Sequence, residues 1–535
     1  MPGSWKASRR DLLVGAGVSV VWFSPAAAAQ DAIFVMTEIA SGKVQGLVDG
    51  PILEFRGIPY GAPTGGRNRY MPPQAPAKWT GVRDCFAGGD AAPQEMSDFR
   101  SDYFAITQWD RKLGGGMSED CLSLDVWTPS VDRSAKKAVL VSFHGGGFYG
   151  GSGNAQLYEG KFLALFGDVV VVTVNHRLSS FGYLNLEGLG APDRFKYAGV
   201  AGMLDLVAAL RWVRENIESF GGDPSRVMIF GDSGGGSKTS VMMGMPGAAG
   251  LFHRAAVQSG SLLRLQSQAA ATAIARDTLN HLGIAASNIS DIQKLSWKQI
   301  LAAQSVVGSK RFGPVVGTDA IPEHPFDPTA SKYSANVPLI VSTCLEDMGI
   351  GAPDYDLDEA GLLSHLEQRF PKRGAEILAL YRRRSPGARP FFIQAQAVTD
   401  ATSRPVAETQ ALRKAALPGG APAWMYEWDW RTPAYGGEFG AVHGGDIPAS
   451  FHSYRDAFFA GGASGKLMAD RLASAWVAFA KTGDPNCPIL PHWPAFEPVH
   501  RATMIFDDDT RVEDDPRGEI RAYWEAHPAS AAVAG

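Results

Sequence analysis

The chain reads as an α/β protein built on one large, mostly parallel central sheet with helices on both faces. Three observations predict this. Residues 138–143 (AVLVSF), 168–174 (DVVVVTV), 227–230 (VMIF), 254–258 (RAAVQ) and 338–342 (PLIVS) are short and largely apolar at successive positions. Successive side chains of a strand point to opposite faces, so such runs suit strands covered on both sides, as in a parallel sheet. Between the second and third runs, residues 202–220 place Leu204, Leu206, Val207, Leu210, Val213 and Ile217 on one face of a 3.6-residue period, closed by Gly221-Gly222. Finally, 45% of the 535 residues are hydrophobic and only 20% charged, which supplies a large core and excludes a disordered or fibrous chain.

Further elements follow in order. Residues 236–245 continue as a helix after a glycine-rich turn, and 468–480 read as another helix. The run 424–430 puts Trp424, Tyr426, Trp428 and Trp430 on one face of a further strand. Residues 87–117 and 351–390 lack a clear period and read as irregular lids or pocket walls. No fixed repeat or low-complexity linker follows Gln30, so 30–535 is expected to be one domain.

Charge and cysteine content narrow the function classes. Lys and Arg total 50 against 55 Asp and Glu, a net charge of −5, which is not the footprint of a nucleic-acid binder. Four cysteines without a C-x-x-C pair argue against a disulfide scaffold or a zinc site. At the start, Lys6, Arg9 and Arg10 precede an apolar run from Leu12 to Phe23, then Pro25 and Ala26 to Ala29. That order is an export signal over 1–29, too short to span a bilayer as a permanent anchor. Ser8-Arg9-Arg10-Asp11-Leu12-Leu13 favours a twin-arginine signal over a general secretory one. Cleavage after Ala29 would start the mature chain at Gln30, outside the cytoplasm in the periplasm or medium.

The chemistry is carried by two glycine-rich turns. The run 227–230 leads into Gly231-Asp232-Ser233-Gly234-Gly235, a G-x-S-x-G between a strand and a helix. This is the pattern of a nucleophile elbow, in which a serine sits on a strained turn that tolerates no side chain at its flanks. Upstream, the run 138–143 ends in His144-Gly145-Gly146-Gly147-Phe148. Glycines at a strand end let backbone N–H groups face a ligand, and an H-G-G-G run does so for a developing oxyanion. The candidate donors are the N–H groups of Gly146, Gly147 and Gly234. His144 itself reads as structural.

The chain resembles the type-B carboxylesterases, the cholinesterase-like branch of the α/β-hydrolase fold that includes the bacterial para-nitrobenzyl esterases. Besides the two turns, the resemblance rests on Phe55-Arg56-Gly57-Ile58-Pro59-Tyr60, Trp79-Thr80-Gly81-Val82, Ser118-Glu119-Asp120-Cys121-Leu122, Asn175-His176-Arg177-Leu178, Phe220-Gly221-Gly222-Asp223-Pro224, Gln258-Ser259-Gly260-Ser261, Phe312-Gly313-Pro314-Val315-Val316 and Phe479-Ala480-Lys481-Thr482-Gly483-Asp484-Pro485-Asn486, in family order. It implies an α/β-hydrolase fold and hydrolysis of a small-molecule ester without metal or organic cofactor. Most of these segments, Arg177 included, are read as structural.

The resemblance also implies the partners of Ser233. Val442-His443-Gly444-Gly445-Asp446-Ile447-Pro448 is similar to the family's catalytic-histidine loop and makes His443 the base; His452 lacks that context. The family places a glutamate, within Asp-Glu-Gly, after a strand like 338–342. Here the run is Cys344-Leu345-Glu346-Asp347-Met348-Gly349, and ungapped registration favours Asp347 as the acid with Glu346 as the alternative. The order Ser233, Asp347, His443 is that of α/β-hydrolases. A family disulfide from Cys121 lacks its usual partner, since Ala92 stands there, which leaves Cys85 as a candidate. Phe148, Tyr149 and Phe181 are candidate pocket walls or core. The charged segment 98–117 is a candidate rim. An amidase using the same residues and a non-catalytic binding protein are the alternative readings. Substrate identity and oligomeric state are not legible.

Overall fold

The structure, a computed structural model, describes residues 33–96, 116–351, 353–455 and 462–529. The export segment, the charged residues between Asp98 and Lys112 and the chain end lie outside them. Among the described residues, no helix is long and apolar enough to cross a membrane.

From Phe34 onward the chain is organised on a 13-stranded sheet. Its strands are β1 (Phe34–Ile39), β2 (Gly42–Asp49), β3 (Ile52–Pro59), β4 (Val82–Asp84), β5 (Ser123–Thr128), β6 (Lys137–Phe143) and β7 (Val170–Val174), then β8 (Gly222–Asp232), β9 (Arg254–Gln258), β10 (Leu339–Cys344), β11 (Ala423–Trp428), β12 (Ala502–Phe506) and β13 (Arg511–Asp514). The spatial order is β1-β2-β3-β5-β7-β6-β8-β9-β10-β11-β12-β13, with β4 beside β2. Every pair from β7 to β12 is parallel, as expected for runs apolar on both faces. The antiparallel pairings of β1, β2, β3, β5 and β7 at one edge, and of β12 with β13 at the other, were not anticipated.

Alternation along the strands splits the core by face. Val139, Val141, Val172, Ile229, Val257 and Val341 join one cluster with Met203, Leu206, Leu210 and Val213 of helix Ala201–Asn216. Leu140, Val171, Met228, Phe230, Ala256 and Ile340 join the other with Met468, Leu472, Trp476 and Phe479 of helix Ala463–Thr482. Helices therefore cover both faces. Trp424, Tyr426, Trp428 and Trp430 all fall in the second cluster while Met425 falls in the first, which is the period-2 pattern read from the sequence.

Several boundaries differ for local reasons. The strand expected from Asp168 starts at Val170, because Asp168 ends helix Lys161–Gly167 in a left-handed conformation with φ 49°. Helix Ala201–Asn216 runs on as a tighter turn, Ile217–Phe220, and Gly221 closes it at φ 71°. The stretch 351–390 is not irregular. It holds helices Glu359–Arg369 and Gly374–Arg384, followed by Pro390–Ala401. Their Leu362, Leu366, Phe370, Ile377, Leu380 and Tyr381 form a separate small core with Ile393, Ile520 and Trp524. Charged residues dilute the apolar period there, which hides it in a linear reading.

Two motif segments read as structural are tied down by ion pairs. Arg177 forks onto Asp205 (2.6 and 2.8 Å) with both side chains buried. Arg69 forks onto Glu119 (2.6 and 2.6 Å). Cys85 and Cys121 are not bridged; both are buried thiols, and burial pushes Cys85 up to about 12.

Candidate active site

The site gathers at the C-terminal ends of β6, β8, β10 and β11, where a parallel sheet leaves a crevice for ligands. Strand β8 delivers Ser233, which holds φ 56° and ψ −122°, and helix Gly234–Met242 starts at the next residue. A non-glycine residue there stores roughly 1–3 kcal/mol of strain. Two hydrogen bonds hold it: Ser233 N–H donates to Gln258 O (2.8 Å) and Ser237 N–H to Ser233 O (2.9 Å). The motif glycines are required by space. A Cβ on Gly231 would lie 2.4 Å from Phe143 O, and one on Gly235 only 2.0 Å from the same oxygen.

The second turn packs directly on the first. A Cβ on Gly234 would lie 2.2 Å from Gly147 N, so these two backbones touch. Gly146 O accepts from Tyr149 N–H (3.2 Å) and Gly150 N–H (3.0 Å). In a trans peptide the N–H points away from its C=O, so this pair turns Gly147 N–H the other way. Gly146 and Gly147 hold φ of 82° and 58°. The Tyr149 ring lies against Gly147, and Phe148 meets Tyr183 edge-on with 5.4 Å between centroids. Phe181, named with them as a wall or core residue, is buried core.

Asp347 and His443 come together from two loops. His443 Nδ1 is 2.6 Å from Asp347 Oδ1, and because a carboxylate accepts, Nδ1 carries the hydrogen. The other nitrogen, Nε2, lies 3.9 Å from Oδ2 of Asp232, the residue before Ser233. Glu346 points elsewhere: its carboxylate accepts from Gln396 Nε2 (2.8 Å), Arg431 (2.8 Å) and Ala441 N–H (2.8 Å). It ties the histidine loop to its neighbours and does not reach the imidazole. His452, the other histidine nearby in sequence, pairs with Asp470 (2.8 Å) and stacks on Phe166.

Three buried carboxylates surround His443: Asp347, Asp232 and Asp446, the last accepting from Tyr426 Oη (2.6 Å). Burial by itself would lower the imidazolium, but the charges of Asp232 and Asp347 and the Asp347 hydrogen bond outweigh it and push His443 up to about 9. Burial pushes the Asp232 carboxyl well above its usual range, with His443 pulling it back. The sequence reading missed Asp232 and Asp446 as parts of the site, although both sit inside the motifs that gave Ser233 and His443. It had no signal for Gln396 or Arg431. Among the described residues, no group of His, Cys, Asp and Glu is arranged to hold a metal ion.

The chain is similar to known esterases along most of its length. The para-nitrobenzyl esterase of Bacillus subtilis (strain 168) is 34% identical over 498 residues, covering 90% of this chain and 96% of the relative. Phenmedipham hydrolase of Pseudarthrobacter oxydans is 30% identical over 499 residues, covering 88% and 94%. Among solved structures, a carboxylesterase of Geobacillus stearothermophilus superposes with a TM-score of 0.78 at 33% identity, over 91% of this chain and 99% of that one. An esterase from Clostridium hathewayi described as hydrolysing aliphatic aromatic polyesters gives 0.80 at 29% identity, over 92% and 99%. With the carboxylesterase family model matching residues 32–524, the chain belongs to that family and is a serine-type ester hydrolase of the α/β-hydrolase fold.

Proposed function

We propose that Ser233, His443 and Asp347 hydrolyse a small-molecule carboxylic ester by a two-step acyl transfer. The observation that carries this reading is the 2.6 Å contact from Asp347 Oδ1 to His443 Nδ1, which in the neutral imidazole makes Nε2 the proton acceptor, on the ring edge 3.9 Å from Asp232, the residue before Ser233. Neutral His443 takes the Ser233 proton as Oγ attacks the ester carbonyl. Asp347 holds the imidazole in one tautomer and stabilises the imidazolium that forms. The N–H groups of Gly146, Gly147 and Gly234 receive the oxyanion; losing one such donor typically costs about 3–4 kcal/mol in the transition state. His443 then protonates the leaving alcohol, and water releases the acid by the same steps in reverse order.

Phe148 and Tyr149, beside the turn that carries Gly146 and Gly147, support an apolar or aromatic ester. The test is a panel of para-nitrophenyl esters and anilides with the chain from Gln30 and its Ser233→Ala variant. Ester turnover lost in the variant supports the reading. Equal turnover in both overturns it, and faster turnover of anilides would assign an amidase. The arginine pair and apolar run of residues 1–29 support export by a twin-arginine route. Arg9→Lys with Arg10→Lys is expected to leave the full-length chain in the cytoplasm on fractionation; unchanged export would exclude that route.

A further inference from the structure

A lysine lies in the first turns after the nucleophile. Lys238 belongs to helix Gly234–Met242, is wholly buried, and donates from Nζ to His144 O (2.8 Å). Its surroundings are basic: the His144 and His176 rings stack at 4.9 Å with 16° between planes. Burial drives the Lys238 ammonium well below its usual value and keeps both histidines neutral, with the lysine charge adding to the effect on them. Donation to a carbonyl needs only an N–H, so the contact with His144 O does not depend on the charge of Lys238.

His144 opens the H-G-G-G turn, and three of the four polar groups in the two peptide planes before Gly146 have partners. The first plane contains His144 C=O and Gly145 N–H. Lys238 Nζ holds the carbonyl, and Tyr158 Oη accepts from the N–H (2.8 Å). The second plane contains Gly145 C=O and Gly146 N–H. His144 Nδ1 is 2.8 Å from Gly145 O, and opposite a carbonyl it must be the donor. With Gly145 C=O held on one side, Gly146 N–H is turned to the other. The His144 Nδ1 donor also polarises the second peptide, strengthening Gly146 N–H as a donor.

The geometry points to Lys238 as a positioning residue for the oxyanion hole, tying the nucleophile's own helix to the turn that carries Gly146 and Gly147. This rests on the acyl-transfer reading above. An apolar side chain of similar length would fill the same space, but it would leave His144 O without this donor and the first peptide plane held only by Tyr158. Precise placement matters because the donors act on an oxygen that exists only in the transition state.

The test is Lys238→Met beside Lys238→Arg, Tyr158→Phe and a control, Lys414→Met. Lys414 is also buried and also donates to backbone carbonyls, of Ser334 and Ala335, at the N-terminal approach to β10 and away from the site. For Lys238→Met the expected result is a fall of about tenfold or more in kcat with KM within about threefold. Affinity for an alkyl trifluoromethyl ketone should weaken in proportion. That inhibitor reports on the hole directly, because Ser233 Oγ adds to its carbonyl carbon, the serine proton passes to His443, and the carbonyl oxygen becomes the bound oxyanion. Tyr158→Phe should show the same signature more weakly, Lys238→Arg should recover part of it, and Lys414→Met should lower Tm without it. Should Lys238→Met not fold, Tyr158→Phe decides alone. Unchanged kcat and inhibitor affinity in the folded variant, or losses equal to those of Lys414→Met, would overturn the inference. An inactive wild type, or an active Ser233→Ala, would overturn the acyl-transfer reading instead.

Discussion

Glu346 and Val442 pair as an isolated parallel β-bridge, and the next residue on each side is Asp347 or His443. Glu346 N–H donates to Ala441 O (3.1 Å), while the Glu346 carboxylate accepts Ala441 N–H. The bridge brings the two loops into register one residue early, and Asp347 then meets His443 as its neighbour. Two adjacent acids thus have different tasks, one holding the loop and one holding the ring.

Exchanging each acid for its amide should separate these tasks. Asp347→Asn presents an amide to Nδ1 and permits the wrong tautomer, so kcat should fall by about 10³–10⁴. Glu346→Gln keeps the shape but loses the charge facing Arg431, whose side chain is 43% exposed and stays hydrated, and turns one accepting oxygen into an NH2 set against a donor. Its loss should stay below about a hundredfold, from loop displacement. Steady-state kinetics on one para-nitrophenyl ester decides; comparable mild losses in both would remove Asp347 from its proposed role.

The carboxylates around His443 predict a pH dependence. Only neutral His443 accepts the serine proton, so kcat/KM should rise with pH and level off near the raised value of about 9. Asp232→Asn removes the largest charge raising it and should move this limb to lower pH. Stability should run the other way. A group whose folded value is raised stabilises fully below its unfolded value, about 6.5, and loses that contribution as pH rises through about 9. Rate profiles and denaturant unfolding at both ends of that window check the two signs.

Gly235 is expected to tolerate no side chain. Gly235→Ala would place a methyl 2.0 Å from Phe143 O, a rigid backbone atom at the end of β6. The variant should lose most of its activity and about 1–3 kcal/mol of stability from overpacking. Full activity at unchanged Tm would show that the elbow relaxes more freely than this packing allows.

The Arg177 and Asp205 pair is buried on both sides. Asp205→Asn should leave a guanidinium without its countercharge and cost about 3–5 kcal/mol, far more than an exposed pair would. Urea unfolding monitored by tryptophan fluorescence gives the value, and a change under about 1 kcal/mol would contradict the burial argument.

Much of the fold was determined by the sequence itself. Strands apolar at nearly every position, such as 138–143 and 227–230, have no stable place except between two helical layers, so the parallel core followed from composition and period. Ser233 and the glycines about it were legible because a strained turn with no room for a Cβ leaves a local signature. The edge strands were not legible: β1 and β2 pair with their neighbours through backbone groups that every residue carries, and half-exposed strands have mixed patterns. The small core under 351–390 was hidden for the same reason, its apolar residues interleaved with charges. At the site, tertiary structure alone gave Glu346 and Asp347 different partners, because residues adjacent in the chain are separated by which loop each one meets. Lys238, Tyr158, Arg431 and Gln396 likewise owe their positions to contacts across elements, and a hydrogen bond between distant residues leaves no period in the chain. Local steric demands are written residue by residue, whereas the pairing of distant polar groups exists only once the sheet has brought its strand ends together.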